Sequence, residues 1–193
     1  MQEFHLYGNG FRMISILKTL IDIVRLRASP ADLPGAPHLM WVTFGIHLLL
    51  QVTLATQFLP VRDTLPAEAL LSSGFTLFWF WFLLRMFGRS ERFVQTMSAL
   101  FGVSCLLAPF SVPLAAAVMP QAGQNVQPSP LLAVIIVVGF YVVYVNARIL
   151  RAALERSMTQ CVLLFLAGDL LGGLIVIGLF GTGDVGAAVA PAR

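Results

Sequence analysis

The sequence predicts an all-α polytopic membrane protein, five transmembrane helices preceded by an amphipathic helix at the membrane interface. Three observations lead there. Of 193 residues, 58% are hydrophobic and only 11% charged, against roughly a quarter charged in an ordinary soluble domain, and the mean hydropathy is +0.86. Five apolar stretches are each long enough to cross about 30 Å of hydrocarbon, which takes roughly 20 residues of helix. The segments joining them are alternately rich and poor in arginine, as successive crossings require.

Such a chain has room for one integral domain with short loops, but not for a separate soluble catalytic domain. The net charge of +3 does not mark a nucleic-acid binder, because the basic residues form no groove-tracking patch with interleaved aromatics. Cys105 and Cys161 fall in different apolar runs, with neither disulfide nor metal-ligand spacing.

The opening stretch MQEFHLYGNGF has no basic region ahead of an apolar core and no small-residue cleavage site, so it reads as retained rather than as a secretory signal. Residues 11–28 are periodic. Met13, Ile16, Leu17, Leu20, Ile23 and Val24 recur at helical spacing, with Ser15, Lys18, Thr19, Asp22 and Arg25 on the other side. Asp22 stands four residues from Lys18 and three from Arg25, which gives the polar face its own charge pairing. A helix of this kind lies in the interface, with Lys18, Arg25 and Arg27 toward anionic lipid, or else packs against another protein segment. SPADLPGAP, with three prolines and a glycine, ends it and closes an amino-terminal segment spanning 1–37.

The transmembrane domain covers 38–180, with spans expected at about 39–59, 67–87, 94–119, 130–147 and 161–180. Arg12, Lys18, Arg25 and Arg27 precede the first span; Arg85, Arg89 and Arg92 join the second to the third; Arg148, Arg151 and Arg156 join the fourth to the fifth. The positive-inside rule then puts the amino terminus in the cytoplasm and the carboxyl terminus outside, the periplasm if the source is a bacterial inner membrane. Splitting the third segment in two would put the Arg148 to Arg156 group outside. Pro109 and Pro113 within that segment predict a kink or local break. FTLFWFWF, 75–82, reads as a lipid-facing or interfacial aromatic group, including Trp79 and Trp81; a pigment or cofactor contact is the sharper alternative, but nothing beside it specifies a ligand, so no cofactor is assigned. The tail 181–193 is small, polar and glycine-rich, as flexible segments are.

Within the spans, Thr43, His47 and Gln51 share one helical face of the first, and Asp169 stands near the middle of the fifth at a depth similar to that of His47. A mid-bilayer charge costs about 2.5–3.5 kcal/mol, so Asp169 should be buried, paired or neutral. His47 is the natural partner, either as a proton-responsive pair or as a hydrogen bond that orders helices. Gly168 and Gly172, widened by Gly173, form a small-xxx-small face on which another helix backbone can dock; whether that helix belongs to the same chain is open. No catalytic or metal-binding motif is present: no HExxH, nucleophile elbow, P-loop or paired intramembrane carboxylates.

RMFGRSERFVQTMSALFGVSCLLAPFSVP, running from a basic loop into a proline-bearing third span, resembles the bacterial relatives of the Yip family. The resemblance implies five spans after a cytoplasmic amino-terminal segment, and a membrane-embedded adaptor rather than an enzyme. The expectation is a non-enzymatic inner-membrane accessory or scaffold subunit, with membrane lipids and other integral membrane proteins, or a second copy, as partners. The contrasting expectation is a small proton-coupled carrier or channel component using Asp169 and His47.

Overall fold

Within hydrocarbon every backbone amide must find its partner inside the chain, so apolar runs of this length fold as helices. The computed structural model describes residues 4–58, 63–117 and 130–181. These hold six α-helices and no strand: α1 (Phe4–Val24), α2 (Pro37–Phe58), α3 (Leu65–Met86), α4 (Phe93–Ala116), α5 (Pro130–Leu154) and α6 (Met158–Phe180). Helices α2 to α6 are long and apolar enough to cross a membrane, and the protein is a helical membrane protein with five such segments. The expected span ends at 59 and 118–119, and the tail from 182, lie outside the described residues.

Several boundaries differ from the sequence expectation. Helix α1 begins at Phe4 rather than 11 and stops at Val24, because Leu26 takes the left-handed conformation (φ 64°). The Arg27 N–H then donates to the Asp22 carbonyl at 2.8 Å and the Leu26 N–H to Ile23 at 2.9 Å. This pair of hydrogen bonds closes a helix end and usually employs glycine. Helix α5 runs past 147 to Leu154: Ile149, Leu150, Ala153 and Leu154 continue the apolar stripe into buried contacts, so Arg148 and Arg151 lie on a helix, not in a loop. Helix α4 remains helical through Pro109 and Pro113, one segment with no break at either proline.

Helix α4 is the centre of the bundle. Every residue from Thr96 to Val103 is buried, as expected of a helix that is apolar all round and enclosed. It packs most extensively on α2 and also meets α1, α3 and α5, while α6 packs on α3 and α5. Two apolar clusters result. On one side Met97, Leu100 and Phe101 meet Met40 of α2, Phe80, Leu83 and Leu84 of α3, Leu150 of α5 and Cys161 of α6. On the other, Ala99 and Val103 meet Leu20 and Ile23 of α1, Leu33 of the connector, and Val145 and Ile149 of α5.

The second cluster holds α1 on the bundle. A Cβ on Gly102 would stand 2.6 Å from Leu20 Cδ2, so the missing side chain is what lets the leucine in. Tyr141 of α5 donates its hydroxyl hydrogen to the Val24 carbonyl. The stripe of α1 is therefore divided: Leu20 and Ile23 are buried, whereas Met13 is 71% and Leu17 48% exposed.

The loops share one end of the bundle. Arg89 and Arg92, between α3 and α4, both bond to Glu155, between α5 and α6; Arg92 Nη1 also donates to the Ala152 carbonyl at 2.9 Å. Gln95 Nε2 donates to the Leu33 carbonyl at 3.0 Å, tying in the connector before α2. Arg156 stacks on Phe87 with its guanidinium 5.0 Å from the ring centre. The three arginine-rich segments of the sequence thus converge on one end.

Candidate functional site

Polar groups inside membrane spans are costly and so mark sites worth reading first. The structure separates the two that the sequence pairs. His47 lies near the middle of α2 and faces α4, its ring centre 5.0 Å from that of Phe101; its Nδ1 is buried without a hydrogen-bond partner among the described residues. Asp169 lies on α6 at the edge of its contact with α3, lining a cleft of about 40 Å³ with Phe75, Thr76, Trp79 and Phe165. Among the described residues neither a hydrogen bond nor a salt bridge joins them. The remainder of the α2 stripe also turns inward: Thr43 is buried, its hydroxyl donates to the Leu39 and Met40 carbonyls at 3.0 Å each, and its own carbonyl accepts from Cys105 Sγ at 3.7 Å. Gln51 is half-buried.

The glycine face finds its partner within the chain. A Cβ at Gly168 would stand 2.3 Å from Trp79 Nε1, and one at Gly172 would stand 2.9 Å from Phe75 Cδ1. The helix they receive is α3, and they receive its aromatic side chains rather than its backbone. Trp79 Nε1 also donates to the Leu164 carbonyl at 3.1 Å, one turn before Gly168. Gly173 plays no part, since a Cβ there would meet nothing within 4 Å. Trp79 is half-buried between α3 and α6. Trp81, two residues on, is exposed with the Arg85 guanidinium 5.5 Å from its ring centre. Lys18, Arg25 and Arg27 are also exposed.

No family model, curated protein or solved structure matches this chain. The chemistry of the site therefore rests on its own geometry.

That geometry leaves Asp169 outside the bundle. Successive residues of a helix are turned by 100°, so when Gly168 and Gly172 face α3, the intervening Asp169 points to the rim of the groove. It is exposed and accepts no hydrogen bond among the described residues. Leu166, Leu170 and Leu174 of α6 and Phe78 and Phe82 of α3 are exposed as well. A carboxylate thus stands near mid-span on an otherwise apolar outer surface.

Sequence reasoning assigned no role to three buried polar groups, Ser73, Ser98 and Asn146, each with a side-chain oxygen lacking a partner among the described residues. It also did not anticipate the clamp of Arg89 and Arg92 on Glu155. The opposite charges at that end were the available signal, but sequence separation hid their contact.

Proposed function

We propose that the protein is a non-catalytic accessory or scaffold subunit of a membrane assembly, docking a second integral membrane protein on the α3/α6 surface around Asp169. One observation carries this reading: a mid-span carboxylate exposed on the bundle's outer face, with no partner among the described residues. Facing lipid, such a group costs about 2.5–3.5 kcal/mol on insertion scales, and a neighbouring helix offering a donor or a cation removes that cost. The apolar side chains around it supply close packing, which drives helix association in lipid. The adaptor character implied by the Yip-like stretch agrees with this reading. So does α1, whose outer side, with Met13, Leu17 and Lys18 exposed, suits a membrane interface at the arginine-rich and hence cytoplasmic end.

Purification of the full-length protein in mild detergent, with identification of co-purifying proteins, tests the proposal. A defined membrane partner should be retained, kept by Asp169→Asn, whose amide still hydrogen-bonds, and lost with Asp169→Leu. A lone monodisperse protein that carries proton flux in vesicles would favour the carrier reading, which the unpartnered Nδ1 of His47 supports; that flux should then vanish in Asp169→Asn.

A further inference from the structure

At the arginine-rich end, a cavity of about 460 Å³ opens between the connector after α1 and the last turns of α5. Its size lies within the usual range of ligand sites, roughly 300–1,000 Å³. Arg27 reaches it from the connector, and Arg148 and Arg151 from α5; Ile23, Val145 and Ile149 line its apolar side. Three cations and an apolar wall, at the end of helices that cross a membrane, are the two halves of an amphiphile's complement.

The arginines are uncommitted. Among the described residues none of the three makes a salt bridge or a side-chain hydrogen bond. The two carboxylates on the lining are already engaged. Asp32 Oδ2 accepts from the Ser29 N–H at 2.7 Å, closing its own turn, and both oxygens of Glu155 are taken by Arg89 and Arg92. The cavity therefore offers guanidinium forks whose geometry matches phosphate oxygens, and neither lining acid is paired with them among the described residues.

We propose that this cavity binds a phosphate group, and specifically the phosphodiester headgroup of an anionic phospholipid, with its acyl chains following the Ile23, Val145 and Ile149 wall into the membrane. Basic pockets between helices near the membrane surface suit such headgroups. A free phosphate ester shares the polar contacts but leaves the apolar wall unused. The inference rests on membrane insertion alone and not on the accessory role, so a failure to find a protein partner leaves it standing.

The test is native mass spectrometry of the full-length protein in detergent, titrated separately with phosphatidylglycerol and phosphatidylcholine. Wild type should retain phosphatidylglycerol preferentially. Each of Arg27→Gln, Arg148→Gln and Arg151→Gln should weaken that retention roughly five-fold, the factor that about 1 kcal/mol per basic residue implies, and the triple variant should abolish the preference. Arg85→Gln removes the same charge at Trp81 and should leave it intact. The single variants keep the test decisive if the triple variant fails to fold. Equal retention by wild type and the single variants would overturn the site. Displacement of the lipid by excess inorganic phosphate, together with equal binding of glycerol phosphate, would overturn the lipid assignment in favour of a free phosphate ester.

Discussion

Trp79 occupies the space that a side chain on Gly168 would fill: a Cβ there would stand 2.3 Å from the indole Nε1, which donates to the Leu164 carbonyl at 3.1 Å. Where lipid tails are as apolar as leucine, burial alone does not hold two helices together, and close fit with directed hydrogen bonds does. Gly172 with Phe75 and Gly102 with Leu20 repeat the same device.

Gly168→Ala should destabilise the bundle by about 1–3 kcal/mol, the usual cost of overpacking, because the indole is rigid and must leave its carbonyl. Gly173→Ala meets nothing within 4 Å and should be neutral, or stabilising by up to about 1 kcal/mol from helix propensity. Unfolding midpoints in detergent separate the two; equal shifts would remove the Trp79 seat from the account.

The contact of α1 with the bundle should yield to Gly102→Leu, which fills the seat of Leu20. Amides of α1 should then exchange with deuterium far faster while those of α4 keep their protection. Tyr141→Phe should have a milder effect, about 0.5–1.5 kcal/mol for one hydrogen bond, seen at the last turn of α1. Unchanged exchange in both variants would mean that α1 is held by other contacts.

Glu155 should make stability depend on pH. The hydrogen bond from Arg92, ahead of the charges of Arg89 and Arg92, holds its carboxyl below the ordinary glutamate range, against a smaller opposing effect of burial. Its contribution is thus fully present above the ordinary glutamate value and is lost as pH falls through the lowered one. Glu155→Gln should lower the thermal midpoint at neutral pH, and the gap from wild type should close in acid. A gap that stays constant down to strongly acidic pH would rule out the linkage.

His47→Phe should leave stability unchanged or raise it, since it keeps a ring against Phe101 and removes a buried nitrogen without a partner, a group whose burial costs about 1–3 kcal/mol. A marked loss of stability would show that His47 has a partner in the membrane. Retained fold with lost proton flux would instead place His47 in a transport role.

The helices were legible because their cause is local: long apolar runs, punctuated by proline and glycine, fold the same way whatever they later touch. The small-residue face of α6 was legible for the same reason, as was the gathering of arginines at alternate loops. Glu155 was not, because its partners lie more than sixty residues away and charge spacing along a chain carries no information about such a contact. Nor was the arrest of α1 at Leu26, a left-handed residue that nothing in its chemistry advertises.

By itself the sequence determined the solvent, the number of apolar spans and the position of each polar group along its span, since hydropathy and the rise of a helix depend only on the order of residues. Only the tertiary structure decided direction. Asp169 and His47 sit near the middles of their helices, yet a helix's rotation about its own axis is set by which neighbour its small residues admit. Gly168 admits Trp79, and that turns Asp169 to the rim; Phe101 receives His47 on α4, on another contact of the bundle.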